Sequence, residues 1–162
     1  MANPDIVSGL APYGRIYQAS PYVAGGTVYP GDPLKQKSDG SVEVAAATNA
    51  LIGVAAHYAT SGQKVLVYDH PAQKYSAQSD DATIAAQSDL GLNYNIIVAS
   101  ANTTYRRSGV EIDGDTGAVT GTLPLKVLAL VPAADNAYGA NCKVICKINN
   151  HQLGSHTGTD GV

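Results

Sequence analysis

Short apolar runs separated by turn-forming clusters follow one another along most of the chain. The clearest segments are "GDPLKQKSDGSVEVAAA", "ALIGVAAHYATSGQKVLVYDHPAQKYSAQ", "GLNYNIIVAS", "SGVEIDGDTGAVTG", "PLKVLALVP" and "NCKVICKINN". Asp-Gly, Ser-Gly, Pro and Asn clusters between alternating runs are typical of short β-strands joined by turns. We therefore predict an all-β fold over residues 31–150, a single β-barrel or β-sandwich domain of short antiparallel strands.

The first thirty residues have a different pattern, with four prolines and four tyrosines among glycines and small polar residues. Proline holds its predecessor in extended geometry, so residues 1–30 favour an extended N-terminal arm and disfavour a helix. A loop packed on its own domain is the alternative. Tyrosine rings on such an arm offer a large contact area at a small entropy loss. The candidate contact residues here are Tyr13, Tyr17, Tyr22 and Tyr29.

Two further segments depart from the strand pattern. "SDDATIAAQSDLG" predicts one or two turns of helix, capped by Ser79 or Asp80 and stopped by Gly91. Residues 151–162 contain almost nothing apolar after Leu153, which predicts a polar C-terminal tail.

Composition narrows the classes of partner. The chain has 10 Tyr but no Phe and no Trp, so its core has to be built from small and β-branched side chains. A net charge of -3 provides no basic field for phosphates, which argues against nucleic acid. Only 14% of the residues are charged, against about 25% in ordinary soluble proteins. This low charge density favours assembly with other protein chains.

The N-terminal sequence and the longest apolar runs bear on localisation. "MANPDIVSGL" lacks the basic and apolar segments of a signal peptide, and no run approaches the roughly 18 apolar residues of a membrane span. We expect a soluble chain made in the cytoplasm, without a membrane partner.

Four residues have side chains suited to zinc: Cys142, Cys146, His151 and His156. On a strand, cysteines four residues apart lie roughly 13 Å from each other, too far for a disulfide or for one tetrahedral ion. We therefore expect reduced cysteines, no metal and no cofactor. The acidic segment "DGDTG" resembles the start of a calcium loop but lacks the later ligand, so it predicts a hairpin turn.

An acid and a histidine, Asp69 and His70, stand side by side before Pro71. Successive strand side chains point to opposite faces, so the two cannot form a coupled acid–base pair with each other. Pro71 instead fits the second position of a turn "HPAQ", which predicts a β-hairpin with Lys64–Asp69 and Lys74–Gln78 as its arms. His57, between two apolar faces, is interpreted as a hydrogen-bonded structural group.

No nucleophile or phosphate-binding motif occurs in the sequence, so we expect no enzyme activity. Arg106 and Arg107 form the only arginine pair. They are candidates for gripping an acidic strip on a partner, with a solvated turn as the alternative reading.

Several segments together resemble the tailed-bacteriophage head proteins that decorate or cement the capsid. They are "NPDIVSGLAPYGRI", "GDPLK", "LIGVAAHY", "VLVYDHPAQKYSAQ", "DLGLNYNIIVASANTTYRRSGVEID" and "PLKVLALVPAADNAYGANCKVICKINNHQ", which span most of the chain. The family commonly has an acidic residue in the turn where this chain has His70.

The resemblance implies an all-β domain, commonly trimeric, that sits on the outside of an icosahedral shell and clamps neighbouring major capsid proteins. The expected function is thus that of a structural virion protein on the outer capsid surface, with the major capsid protein and its own copies as partners. A β module that binds glycans or host surfaces from the virion is the alternative.

Overall fold

A computed structural model describes residues 3–81, 84–154, 158 and 161. Eleven strands and one short 3₁₀ helix, Gln87–Asp89, are assigned within these residues. The strands are β1 (Ala11–Tyr13), β2 (Ser20–Val23), β3 (Pro33–Gln36), β4 (Val42–Val44), β5 (Gly53–Ala55), β6 (Lys64–Tyr68), β7 (Lys74–Gln78), β8 (Asn93–Asn102), β9 (Arg107–Ala118), β10 (Leu125–Leu130) and β11 (Lys143–Ile148).

The strands form two antiparallel sheets, which confirms the predicted all-β fold. Sheet A has the order β1-β7-β11-β10-β8-β9, and sheet B has the order β2-β6-β5-β3-β4. The described residues form no closed barrel, so the architecture is consistent with the sandwich alternative. Among these residues there is also no helix of the length and apolar character that crossing a bilayer requires.

Two clusters of buried side chains fill the fold. The larger one lines sheet A, and the smaller one is enclosed by sheet B. Most members are Val, Ile, Leu and Ala, as the composition predicts. Tyr75 and Tyr94 are the largest, and each hydroxyl donates to a backbone carbonyl, of Tyr68 at 2.8 Å and of Asp89 at 3.1 Å. Burial raises the pKa of both phenols, that of Tyr94 to about 12.

The N-terminal segment is extended, but it is part of both sheets. Its strand β1 pairs with β7 at the edge of sheet A, and β2 pairs with β6 at the edge of sheet B. Residues 1–30, predicted as an arm before the domain, therefore lie along their own domain wherever they are described. In β2, Pro21 pairs with Leu66 at a sheet edge, a position where a missing N–H is tolerated.

The predicted turn at residues 70–73 is present, but the predicted hairpin is wrong. The Gln73 N–H donates to the His70 carbonyl at 2.9 Å, which closes the turn around Pro71. The two flanking strands do not pair, because β6 belongs to sheet B and β7 to sheet A. The segment is a corner at which the chain passes from one sheet to the other.

Two local predictions also need correction. "DGDTG" is not a hairpin turn: it lies within β9, where the register against β8 passes from Asp113 to Ala118 and residues 114–117 bulge out. The helix predicted from Ser79 or Asp80 is reduced to the 3₁₀ helix, because the Ser79 hydroxyl accepts the Cys142 N–H at 3.1 Å instead of capping a helix. Residues 82 and 83 of that segment lie outside the described residues, as does most of the predicted tail after residue 154.

Candidate interaction surface

The structure distributes the six nominated contact residues over three places. One group lies at and beside the tip of the β8–β9 hairpin, a second lies at the 69–73 corner, and one residue lies in β1. The group at the hairpin tip is Tyr29, Arg106 and Arg107, and the group at the corner is Tyr17 and Tyr22. The remaining residue, Tyr13, lies in β1 and pairs with Lys74 of β7.

Tyr58, which the sequence did not single out, connects the first group. Its ring centroid lies 5.3 Å from that of Tyr29 and 4.4 Å from the Cζ atom of Arg106. Arg106 has a φ of 50°, in the left-handed region that non-glycine residues rarely adopt. The tight end of the hairpin thus directs this guanidinium onto Tyr58, in the loop between β5 and β6, by a cation–π contact.

Tyr105 projects from the same hairpin tip and is 71% exposed. Its N–H donates to the Asn102 side-chain oxygen at 3.0 Å, which fixes the tip, and the Arg107 Cζ atom lies 5.8 Å from its ring centroid. The ion pairs of the described residues all lie around the β3–β4 hairpin, so neither tip arginine has a carboxylate partner there. We call this surface the tyrosine–arginine patch: Tyr29, Tyr58, Tyr105, Arg106 and Arg107.

An open cavity of about 220 Å³ adjoins the patch. Arg107 lines the cavity as well as the patch, and Pro30 continues from Tyr29 into its wall. The remaining lining is mostly apolar and includes Leu10, Pro12, Ala55 and Tyr68. Patch and cavity therefore form one continuous surface, with cationic and aromatic groups beside an apolar depression.

A buried carboxylate holds the patch together. Asp32 is 3% exposed; it accepts the Tyr29 N–H at 2.8 Å and a hydrogen bond from the Ser108 hydroxyl. Burial raises the pKa of Asp32, and these two hydrogen bonds oppose the rise. The carboxyl group ties the Tyr29 loop to the start of β9 and so fixes two parts of the patch relative to each other.

At the 69–73 corner, two chain crossings between the sheets are joined by Gln73. Residues 14–19 lead from sheet A to sheet B, and residues 69–73 lead back. The Gln73 side chain accepts the Tyr17 N–H at 3.1 Å and donates to the Arg15 carbonyl at 3.1 Å. We call this junction the inter-sheet clasp: residues 14–22 and 69–73, together with residues 150–154 beyond β11.

The adjacent acid and histidine have separate partners within the clasp. Asp69 is 1% exposed and accepts the Tyr22 hydroxyl at 2.9 Å and the Gln18 amide at 3.1 Å. Burial raises the pKa of Tyr22 to about 12, and the hydrogen bond and charge of Asp69 add to the rise. The His70 ring stacks on Tyr17 at 4.9 Å, and its Nδ1 atom accepts the Ala72 N–H at 3.1 Å. Asp69 and His70 therefore stabilise the fold through separate contacts.

His151 is the third titratable side chain of the clasp. It is 2% exposed, and the backbone on either side of it pairs with Leu51, which ties the end of β11 to sheet B. Its Nδ1 atom accepts the Leu153 N–H at 3.0 Å, whereas Nε2 has no partner among the described residues. Burial lowers the pKa of His151; attraction to Asp69 opposes this effect and the proximity of His70 adds to it.

The other metal and base candidates are engaged or inaccessible. His57 accepts the Leu66 N–H on Nε2 at 3.1 Å and faces the Tyr58 carbonyl with Nδ1 at 2.9 Å, which confirms that it is hydrogen-bonded. It lies in an exposed loop after β5, however, and not between two apolar faces. Cys142 and Cys146 are buried free thiols. Over residues 3–81 and 84–154, no three His, Cys, Asp or Glu side chains converge as a metal site requires. His156 lies outside the described residues.

Comparison with known proteins adds no relative: no protein-family model matches the sequence, and no curated protein matches it significantly.

Proposed function

We propose that this chain is a structural protein of a tailed-phage virion that decorates the outside of the capsid and stabilises it by bridging major capsid protein subunits. Two lines of reasoning support the proposal. Segments along most of the chain resemble phage decoration proteins, and an all-β domain is the fold which that resemblance implies. The role requires adhesion and no chemical step, in keeping with histidines that accept backbone hydrogen bonds.

The tyrosine–arginine patch is the observation that carries the proposal. Tyr and Arg are the residue types that dominate binding energy at protein interfaces, especially where they pack at a depression. Here they project beside a cavity, and no carboxylate among the described residues neutralises Arg106 or Arg107. A partner that supplies carboxylates to the arginines and an apolar side chain to the cavity would complete both features.

Assembly into a trimer would multiply the effect of each patch. A standard interface buries about 1,600 Å². When linked sites bind the same lattice, overall affinity exceeds that of a single site by about 10² to 10⁴. Three patches on one trimer would therefore hold neighbouring capsid subunits together on the outer surface of the virion, even with modest affinity at each patch.

Sedimentation with shells stripped of their decoration tests the proposal. We expect the wild-type chain to co-sediment with expanded shells, and the R106A/R107A variant to lose about 30-fold or more in affinity, the effect of one interface hot spot. The K64A/K74A variant is the matched control, because it removes two exposed positive charges from other strands. Failure of the wild-type chain to bind shells at micromolar concentration would refute the proposed function.

Glycan binding is the alternative that the exposed ring of Tyr105 favours, because aromatic faces also receive sugar rings. A glycan array distinguishes the two. Signal that disappears in Tyr105→Ala, together with an absence of shell binding, would support the alternative.

A further inference from the structure

The inter-sheet clasp gathers three titratable groups that the proposed function does not use. Asp69 and His70 follow β6, and His151 follows β11. Both Asp69 and His70 act electrostatically on the His151 ring, the first stabilising a positive charge and the second opposing it. The same residues join the sheets, so a change of charge here acts directly on the junction.

The hydrogen bond from Leu153 fixes the protonation state of His151. Because Nδ1 accepts that N–H, it carries no proton, and the neutral ring has its hydrogen on Nε2. A second proton has to enter at Nδ1, where it would face the Leu153 N–H and break the bond. The resulting cation would be buried, and neither N–H has an acceptor among the described residues, which is strongly unfavourable.

His70 has the same arrangement at the other side of the clasp. Its Nδ1 atom accepts the Ala72 N–H and so helps to hold the turn around Pro71. The proximity of His70 opposes a positive charge on His151. Asp69 is the only anion that acts on His151 among the described residues, and its oxygens already accept from Tyr22 and Gln18.

We propose that the inter-sheet clasp is an acid-sensitive latch: protonation of His151 frees the end of β11 and loosens the adjoining 69–73 corner from the N-terminal crossing, while both sheets persist. The direction of the pH dependence follows from His151, because this side chain binds a proton more weakly in the folded state than in the unfolded state. Its contribution to stability is complete above the ordinary histidine pKa of about 6.5 and is lost as the pH falls through the lower folded pKa.

Amide exchange of the full chain, measured by NMR at about pH 7.5 and about pH 5, tests the latch. After correction for intrinsic exchange rates, we expect the Tyr17, Gln73 and Leu153 amides to lose about tenfold or more of their protection at the lower pH. The core amides of Ile52 and Val127 should keep theirs. Equal losses in clasp and core, or no loss in the clasp, would overturn the proposal.

Variants separate the latch from general acid sensitivity. His151→Gln cannot titrate, so the clasp amides of this variant should stay protected from exchange at the lower pH. His57→Gln, in an exposed loop, is the control and should lose clasp protection as the wild type does. If His151→Gln does not fold, the wild-type imidazole resonances decide: His151 should titrate below the ordinary histidine pKa of about 6.5, and titration at or above that value would contradict the latch. Shell binding at neutral pH is a separate measurement, so failure of one proposal leaves the other standing.

Discussion

Removal of the Asp69 carboxylate should weaken the clasp measurably. Asp69→Ala deletes the acceptor of two hydrogen bonds, from Tyr22 at 2.9 Å and Gln18 at 3.1 Å. A hydrogen bond to a charged group contributes about 1.5–3 kcal/mol. Gln18 is exposed and can turn to water, so its share is small, whereas the Tyr22 hydroxyl is partly shielded. We expect a loss of about 2 kcal/mol, or a Tm lower by about 4–8 °C for a domain of this size.

A double-mutant cycle isolates that contact. Urea unfolding of wild type, Asp69→Ala, Tyr22→Phe and the double variant should give a coupling free energy of about 1.5 kcal/mol. Tyr105→Phe makes the same chemical change at an exposed ring and should leave stability unchanged. A coupling free energy below about 0.5 kcal/mol would show that the hydrogen bond adds nothing to stability, and the reasoning for Asp69 would fail.

Two further predictions concern the core. A Cβ atom on Gly53 would overlap the Tyr68 carbonyl oxygen in the neighbouring strand, so Gly53→Ala should lower the free energy of unfolding in urea by more than about 3 kcal/mol. Gly26 faces open space, so Gly26→Ala should leave that free energy almost unchanged, and equal losses in the two variants would contradict the packing. Burial raises the pKa of Cys146 to about 12, so this thiol should resist a thiol reagent at mildly alkaline pH until the chain is unfolded, and prompt labelling of the native protein would refute its burial.

Local chemistry accounts for the parts of the fold that sequence reasoning predicted. Alternating apolar residues identified the strands, and Pro71 identified the turn, because each signal depends on residues a few positions apart. Strand pairing is different: β6 pairs with β2 and β5, and β7 pairs with β1 and β11. Adjacency along the chain suggested a hairpin, but these two strands belong to different sheets, and their buried side chains belong to different core clusters.

The tyrosine–arginine patch was predicted only in part for the same reason. Tyr29 and Arg106 were singled out for separate properties, and their proximity depends on Tyr58 in a third segment. Tyr105 did carry a local signal, since it precedes the arginine pair in a polar loop between two alternating runs. The bulge at residues 114–117 carried no such local signal, because a bulge exists only relative to the partner strand.

The pairing of β1 with β7 and of β2 with β6 has a consequence for synthesis on the ribosome. Each of these two strands is made before its partner, which follows only after about forty to sixty further residues and thus roughly 2–12 s later at the usual rate of elongation. During that interval both strands lack the neighbours that cover their backbone groups. One edge of each sheet is therefore a strand that has to wait, extended, for the middle of the sequence to emerge.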